Sequence, residues 1–233
     1  MNRLLASTAF LAAGLAATAA PAQTSGSGAT NASMSDKRKV TITYENMTMG
    51  QGFSPGAFMS HNASAPPLFK EGERASFGLT QLAEEGNTGP LSVEAGKMMG
   101  KAVGDAAIGL PVMPGKKGMV EIEVSREYPM VSGAWMLGMT NDGFAGMNAV
   151  NAFELKEART MDVMAMEAGS ETNNEKKGSL IALMGTGRDP EGGTVQKHSG
   201  LRGDADAPAE WKFDPTKPVA RVTITPMAMR ATQ

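Results

Sequence analysis

Two segments of the chain alternate strictly between apolar and polar residues, one near the start of its main body and one near its C-terminus. They are residues 40–45 and 220–225, and prolines stand on both sides of the second. A period of two is typical of a strand with one buried face, and proline is tolerated at strand ends. We expect these two strands to lie in one sheet.

Between these ends the pattern predicts further strands and one helical insertion. Residues 119–124 and 160–166 alternate again, and 130–137 form a more apolar run. Apolar residues at helical spacing predict a helix from about Ala75 to the stop signal at Gly86, and a second over residues 88–102. Helices confined to one insertion among strands indicate an all-β sandwich, since βαβ units would place a helix after each strand. Residues 180–203 are predicted to be a long loop with one short strand at 194–197.

The N-terminus has the pattern of a cleavable signal peptide. Arg3 precedes an alanine-rich apolar run, and Ala20-Pro21-Ala22 offers a small-residue cleavage pattern. We therefore predict a leader at 1–22, a Ser/Gly/Thr-rich tether at 23–37 and one domain at 38–230. The protein is expected to be exported, either to the periplasm or outside the cell, without a transmembrane segment.

Charge and cysteine content exclude several classes of protein. Loss of Arg3 leaves 21 Lys and Arg against 24 Asp and Glu, a net charge of −3 with no basic stripe. A nucleic-acid partner is therefore not expected. Without cysteine there is no disulfide or thiol chemistry. A hydrolase would depend on His61 or His198, and no nucleophile motif accompanies either, so we predict no catalytic residues and no enzymatic activity.

Methionine is unusually frequent, at 19 residues against only 12 aromatic ones. Flexible methionine side chains fill irregular core space, and this is the interpretation we favour, for example at Met119, Met130, Met136 and Met161. The alternative is a periplasmic copper-handling protein that binds Cu(I) through thioethers. Its candidate ligands would be two Met-x-Met pairs, 47 with 49 and 227 with 229.

Acidic residues follow two of the predicted strands. Asn141 and Asp142 come after the strand ending near residue 137, and Glu167 and Glu171 come after the strand ending near residue 166. If both strands exit at one end of the sandwich, these side chains form an oxygen-rich cluster of the kind that binds Ca²⁺. The alternatives are an ordinary Asp-Gly hairpin turn and a solvated acidic loop. The predicted metal ligands are Asp142, Glu167, Glu171 and Asn141.

Several stretches in the same order resemble the spondin N-terminal domain family, including its bacterial branch. They are WMLGMTNDGFAGMN at 135–148, MEAGSETN at 166–173, PVARVTI at 218–224, NMTMGQGFSP at 46–55 and GLTQLAEEG at 78–86.

The resemblance implies a C2-like antiparallel sandwich of about eight strands with a divalent cation, usually calcium, at one end. Asp142 falls on the family's acidic loop position, and residues 167–170 fall on its Asp-Ala-Gly-Thr motif, with Glu167 in place of Asp. The function implied is that of a non-enzymatic binding or adhesion-type domain. Its expected partner is an extracytoplasmic protein or glycan.

Overall fold

The computed structural model describes residues 36–203 and 205–227. The predicted leader, nearly all of the predicted tether and residues 228–230 of the predicted domain lie outside the described residues. Within residues 36–203 and 205–227, no helix is long and apolar enough to cross a membrane.

The described residues form ten strands and two α-helices, which confirms the prediction of an all-β sandwich with a two-helix insertion. The strands are β1 (Lys37–Asn46), β2 (Ala57–His61), β3 (Val103–Ile108), β4 (Lys117–Ser125), β5 (Met130–Met136), β6 (Gly143–Asn151), β7 (Arg159–Val163), β8 (Met166–Glu167), β9 (Gln196–Lys197) and β10 (Ala220–Pro226). The helices are α1 (Phe77–Glu85) and α2 (Gly89–Lys97), and both lie between β2 and β3.

Two antiparallel sheets make up the sandwich. One has the strand order β4-β1-β10-β7 and the other β3-β2-β5-β6-β8-β9. β1 and β10 are neighbours, with Ile42 opposite Ile224, as the matching alternation at the two ends predicts. The predicted strand at 160–166 is instead two strands in different sheets, because the chain passes from β7 to β8 within it.

The main core lies between the sheets and is built around Trp135. This residue is fully buried, and its ring lies 5.2 Å from that of Tyr44 and 5.8 Å from that of Phe53, measured between centroids. The methionines contribute less than expected. Met136 is buried, but Met119 is 68% exposed, so the prediction that it fills the core was wrong.

The helices cover the outer face of the six-stranded sheet. Leu79, Leu82 and Leu91 are buried there against Phe144 of β6. The left-handed conformation of Gly86 (φ 67°) ends α1 at the predicted position. α2 ends at Lys97, earlier than predicted, and a turn with Gly100 in the left-handed conformation (φ 72°) leads from it into β3.

The two faces of β1 should differ sharply in their sensitivity to truncation. Ile42 is fully buried, so Ile42→Ala should lower the free energy of unfolding by about 2–5 kcal/mol. Thr43, its neighbour on the other face, is only half-buried, and we expect Thr43→Ala to cost less than about 1 kcal/mol. Urea unfolding of both variants measures the difference, and equal losses would contradict the assignment of the faces.

Candidate functional site

The turn between β5 and β6 holds Asn141 and Asp142 at one end of the six-stranded sheet. Thr140 closes it, since its Oγ1 donates to the carbonyl of Leu137 (2.7 Å) and accepts from the N–H of Gly143 (2.9 Å). Asp142 thus ends the connection between β5 and β6, and Gly143 begins β6 without a positive φ, so the pair does not form the two-residue Asp-Gly turn of the simpler alternative. The Asp142 side chain is also fully buried, which a hairpin turn does not require.

The 167–171 segment packs directly on this turn. β8 pairs with the start of β6, which sets Glu167 opposite Gly143. The Oδ2 atom of Asp142 then accepts three hydrogen bonds: from the N–H of Ser170 (2.8 Å), the N–H of Glu171 (3.2 Å) and the Ser170 hydroxyl (3.2 Å). The structure therefore brings the two predicted acidic loops together, and one carboxylate oxygen joins them.

Gly169 allows this approach, because no side chain fits at its position. Its φ is +68°, and a Cβ added there would lie 2.3 Å from the carbonyl oxygen of Thr194. The 190–194 segment also hydrogen-bonds back, with the N–H of Gly193 donating to the Gly169 carbonyl (2.6 Å). The 190–194 segment is thus packed on the 167–171 segment, which in turn is bonded to the Asp142 carboxylate.

Glu167 and Glu171 are both buried at this end, but their partners differ. The two oxygens of Glu167 accept from the side-chain amides of Gln196 (2.6 Å) and Asn173. One oxygen of Glu171, Oε1, faces the guanidinium of Arg188 at 3.1 Å. Glu167 is therefore satisfied by neutral donors, whereas Glu171 has an ionic partner on one side only.

Arg188 is the charged residue at this end of the sandwich that the sequence did not reveal. Its guanidinium also forms ion pairs with Glu84 (3.4 Å) and Glu85 at the end of α1. Glu84 and Glu85 lie in the last turn of α1, where negative charge interacts unfavourably with the helix dipole. Because a nearby cation would offset this repulsion, the pair was a signal in the sequence for such a cation. No pattern in the glycine-rich loop itself pointed to Arg188.

The charge at this end is strongly unbalanced. Burial raises the pKa of Asp142, Glu167 and Glu171 above the ordinary values of 3.8 and 4.5. Glu191 raises the pKa of Asp142 further by repulsion. In the described part of the chain, Arg188 is the one cation that forms an ion pair with this group of carboxylates.

Three buried oxygens at this end have no hydrogen-bond partner. They are Oδ1 of Asp142, Oδ1 of Asn141 and Oε2 of Glu171, and the Asn141 Nδ2 is unpartnered as well. Buried polar atoms are nearly always paired, so such a group of orphans calls for an explanation. Nevertheless, no group of three or more His, Asp or Glu side chains within residues 36–203 and 205–227 is arranged to hold a metal ion. A cation here would need amide, backbone or water oxygens beside the carboxylates.

His198 lies beside the turn as a buried, neutral side chain. Its Nδ1 accepts from the N–H of Gly200 (2.9 Å), and its ring contacts Phe213 at 5.2 Å between centroids. Burial lowers its pKa to about 4. These contacts are those of a residue that anchors the loop through one ring nitrogen, while its other nitrogen, Nε2, is buried without a partner.

His61 has a serine partner, but in a buried setting. Its Nε2 lies 2.8 Å from Oγ of Ser132, and its Nδ1 lies 3.0 Å from the carbonyl oxygen of Asn62. The Ser132 oxygen also accepts the N–H of Ala149, at a point where the β5–β6 register shifts. Because His61 and Ser132 are at most 2% exposed, this arrangement stabilises the irregular pairing and gives a substrate no access to the hydroxyl.

The Met-x-Met pairs do not come together. Met47 follows the end of β1 where Asn46 pairs with Ala220, and Met227 follows Pro226, which pairs with Val40. The six residue steps between these pairings span about 20 Å at the usual strand rise. Met229 lies outside the described residues.

No protein-family model matches this chain, and no curated protein matches it. The resemblance to the spondin N-terminal domain therefore stays a prediction from the sequence.

Substituting Gly169 should test the close approach at the site. In Gly169→Ala the alanine must adopt a left-handed conformation, and its Cβ also clashes with the backbone of Thr194. We therefore expect this substitution to destabilise the fold by more than about 2 kcal/mol. Gly192 has a similar φ of +73° with no atom within 4 Å, and Gly192→Ala should cost only about 1 kcal/mol. Equal losses in urea unfolding would show that the contact with Thr194 does not matter.

The buried carboxylates predict an unusual dependence of stability on pH in calcium-free buffer. A carboxyl group with a raised folded-state pKa stabilises the fold below its ordinary pKa, and that stability is lost as the pH rises through the folded-state value. Asp142→Asn removes one such group, so the stability of wild type relative to this variant should fall as the pH rises above the ordinary carboxyl value of 3.8. His198, whose pKa is lowered, acts in the opposite direction in both proteins and cancels in this comparison. A difference that does not change with pH would contradict the prediction.

Proposed function

We propose that this chain is an exported, non-enzymatic binding domain of the adhesion type that takes a Ca²⁺ ion at the loop end of its sandwich. The observation that carries this proposal is the group of buried, unpartnered oxygens on Asn141, Asp142 and Glu171. A hard cation is the partner that such oxygens lack, and Ca²⁺ is available outside the cytoplasm.

The donor chemistry fits calcium better than a transition metal. The orphan atoms are carboxylate and amide oxygens, and Ca²⁺ accepts six to eight oxygen ligands in flexible geometry. Asp142 can supply Oδ1 without giving up the three hydrogen bonds on its Oδ2. Water and backbone carbonyls would complete the shell, as they do in many calcium sites.

The surrounding charge supports the same proposal. Burial raises the pKa of Asp142 and Glu171, which means that their charged forms are destabilised in the fold. A bound divalent cation would offset this cost. Glu167, whose oxygens are already occupied by amides, would act through its charge and not as a ligand.

The ion would tie together the two loops that close this end of the sandwich. Asn141 and Asp142 belong to the β5–β6 turn, whereas Glu171 belongs to the segment held against it through Ser170. A binding surface formed by these loops would be ordered by calcium before it meets an extracytoplasmic protein or glycan. The predicted leader at 1–22 provides the export that this role requires.

Thermal unfolding with and without calcium tests the proposal. A ligand that binds only the folded state at about 100 times its dissociation constant adds about 2.7 kcal/mol, or roughly 5–10 °C in Tm for a domain of this size. We expect that shift when about 10 mM Ca²⁺ replaces EDTA at neutral pH. Asp142→Asn keeps an acceptor for the Ser170 and Glu171 N–H groups and should abolish the shift.

A matched control separates the site from general charge effects. Glu157 is exposed and forms no hydrogen bond or ion pair within the described residues, so Glu157→Gln should retain the full shift, whereas Glu171→Gln should lose most of it. No shift in the wild-type protein, or equal shifts in Asp142→Asn and Glu157→Gln, would overturn the calcium site.

A further inference from the structure

A second candidate site lies away from the acidic loops, between the helices and the edge of the six-stranded sheet. It is a cavity of about 440 Å³, a size typical of small-molecule sites. β2 and β3 form its floor, α2 forms one wall, and the chain at residues 66–76 forms the other. It is therefore built from elements that the calcium proposal does not use.

The cavity exists because small side chains line it. Four alanines face it: Ala57 of β2, Ala106 of β3, Ala95 of α2 and Ala75 before α1. Larger side chains at these positions would fill the space between the sheet and the helices. Ala107 packs towards the core between the sheets, so its neighbour Ala106 points out to the cavity. Ala106 is exposed, although it lies in a strand beneath a helix.

The walls of the cavity are apolar. Leu68, Phe69, Leu91 and Met98 surround the space left by the alanines. Met59 also reaches it from β2 and is buried. An occupant would thus bury an apolar body among aliphatic and aromatic side chains.

The charged residues around the cavity are paired, with one exception. Lys70 forms an ion pair with Glu73. Glu94 accepts from the Ser76 hydroxyl (2.8 Å) and from the N–H of Gly78 (2.7 Å) at the start of α1.

Arg74 is the exception, because it forms no hydrogen bond or ion pair with any residue in the described part of the chain. An exposed guanidinium is a natural partner for a carboxylate, which it can bind through two parallel hydrogen bonds.

We propose that this cavity binds a small carboxylic acid with an apolar chain, such as a medium-chain fatty acid, whose carboxylate pairs with Arg74. The apolar walls take the chain, and Arg74 at the edge fixes its direction. Binding of the acid does not depend on the calcium site, so either can be present without the other.

Calorimetric titration of the purified protein with decanoate tests the proposal. We expect binding at one site per chain, with affinity about tenfold lower for octanoate, because two fewer methylenes are buried. Arg74→Gln should weaken decanoate binding about tenfold while leaving the affinity for decanol unchanged, since only the acid uses the guanidinium. Arg159, exposed on β7 in the other sheet and also without a partner among the described residues, is the matched control, and Arg159→Gln should bind decanoate like wild type.

Filling the cavity provides an independent test. Ala106→Phe should remove decanoate binding, whereas Ala158→Phe, at an exposed position before β7, should leave it intact. Thermal melts establish whether each variant is folded. If Ala106→Phe does not fold, the comparison of Arg74→Gln with Arg159→Gln tests the proposal on its own. Absence of decanoate binding to wild type, or equal affinities in Arg74→Gln and Arg159→Gln, would overturn the proposal.

Discussion

The Asp142 carboxylate is buried where the β5–β6 turn meets the 167–171 segment, and the organisation of this end of the molecule depends on it. Three hydrogen bonds converge on its Oδ2 atom, and all of them come from Ser170 and Glu171. These bonds favour the charged form, but burial outweighs them and the pKa is raised. Burial therefore disfavours the charged form of the group that joins the two loops.

The same end shows how the fold distributes charge. Arg188 connects α1 to the acidic loops by pairing with Glu84, Glu85 and Glu171, so the helical insertion and the site are parts of one network. A single guanidinium shared among several carboxylates leaves Oδ1 of Asp142 and Oε2 of Glu171 without partners. Breaking a buried ion pair by removing one partner is costly, whereas adding a cation to an excess of carboxylates is favourable. This asymmetry is the physical basis of the calcium proposal.

Strands with one buried face could be predicted from the sequence, and strands in other settings could not. β1 and β10 alternate cleanly because only one of their faces meets the core. β2 is buried along its whole length, so it shows no period of two. β3 and β6 are rich in glycine and alanine, which reflects the cavity above β3 and the close packing of β6 against Phe69 and Gly133. In these strands the packing against neighbouring elements determines which residue types fit, so local strand propensity does little to reveal the strand in the sequence.

The candidate site was partly predictable for a similar reason. Acidic residues at two strand exits are a local pattern, and the structure brings Asp142, Glu167 and Glu171 to the same end of the sandwich. The environment of each carboxylate could not be predicted in this way. The Asn173 amide is only six residues from Glu167, but the Gln196 amide beside Glu167 and the Arg188 guanidinium beside Glu171 come from 29 and 17 residues further along the chain.

Whether Asp142 is a buried carboxylate in need of a cation is tested most directly by ¹³C NMR titration of its side-chain carboxyl carbon. In calcium-free protein we expect a pKa above the ordinary 3.8, and saturation with Ca²⁺ should move it below that value, because the cation favours the charged form. An ordinary pKa that calcium leaves unchanged would contradict both the burial of this charge and its role in binding the ion.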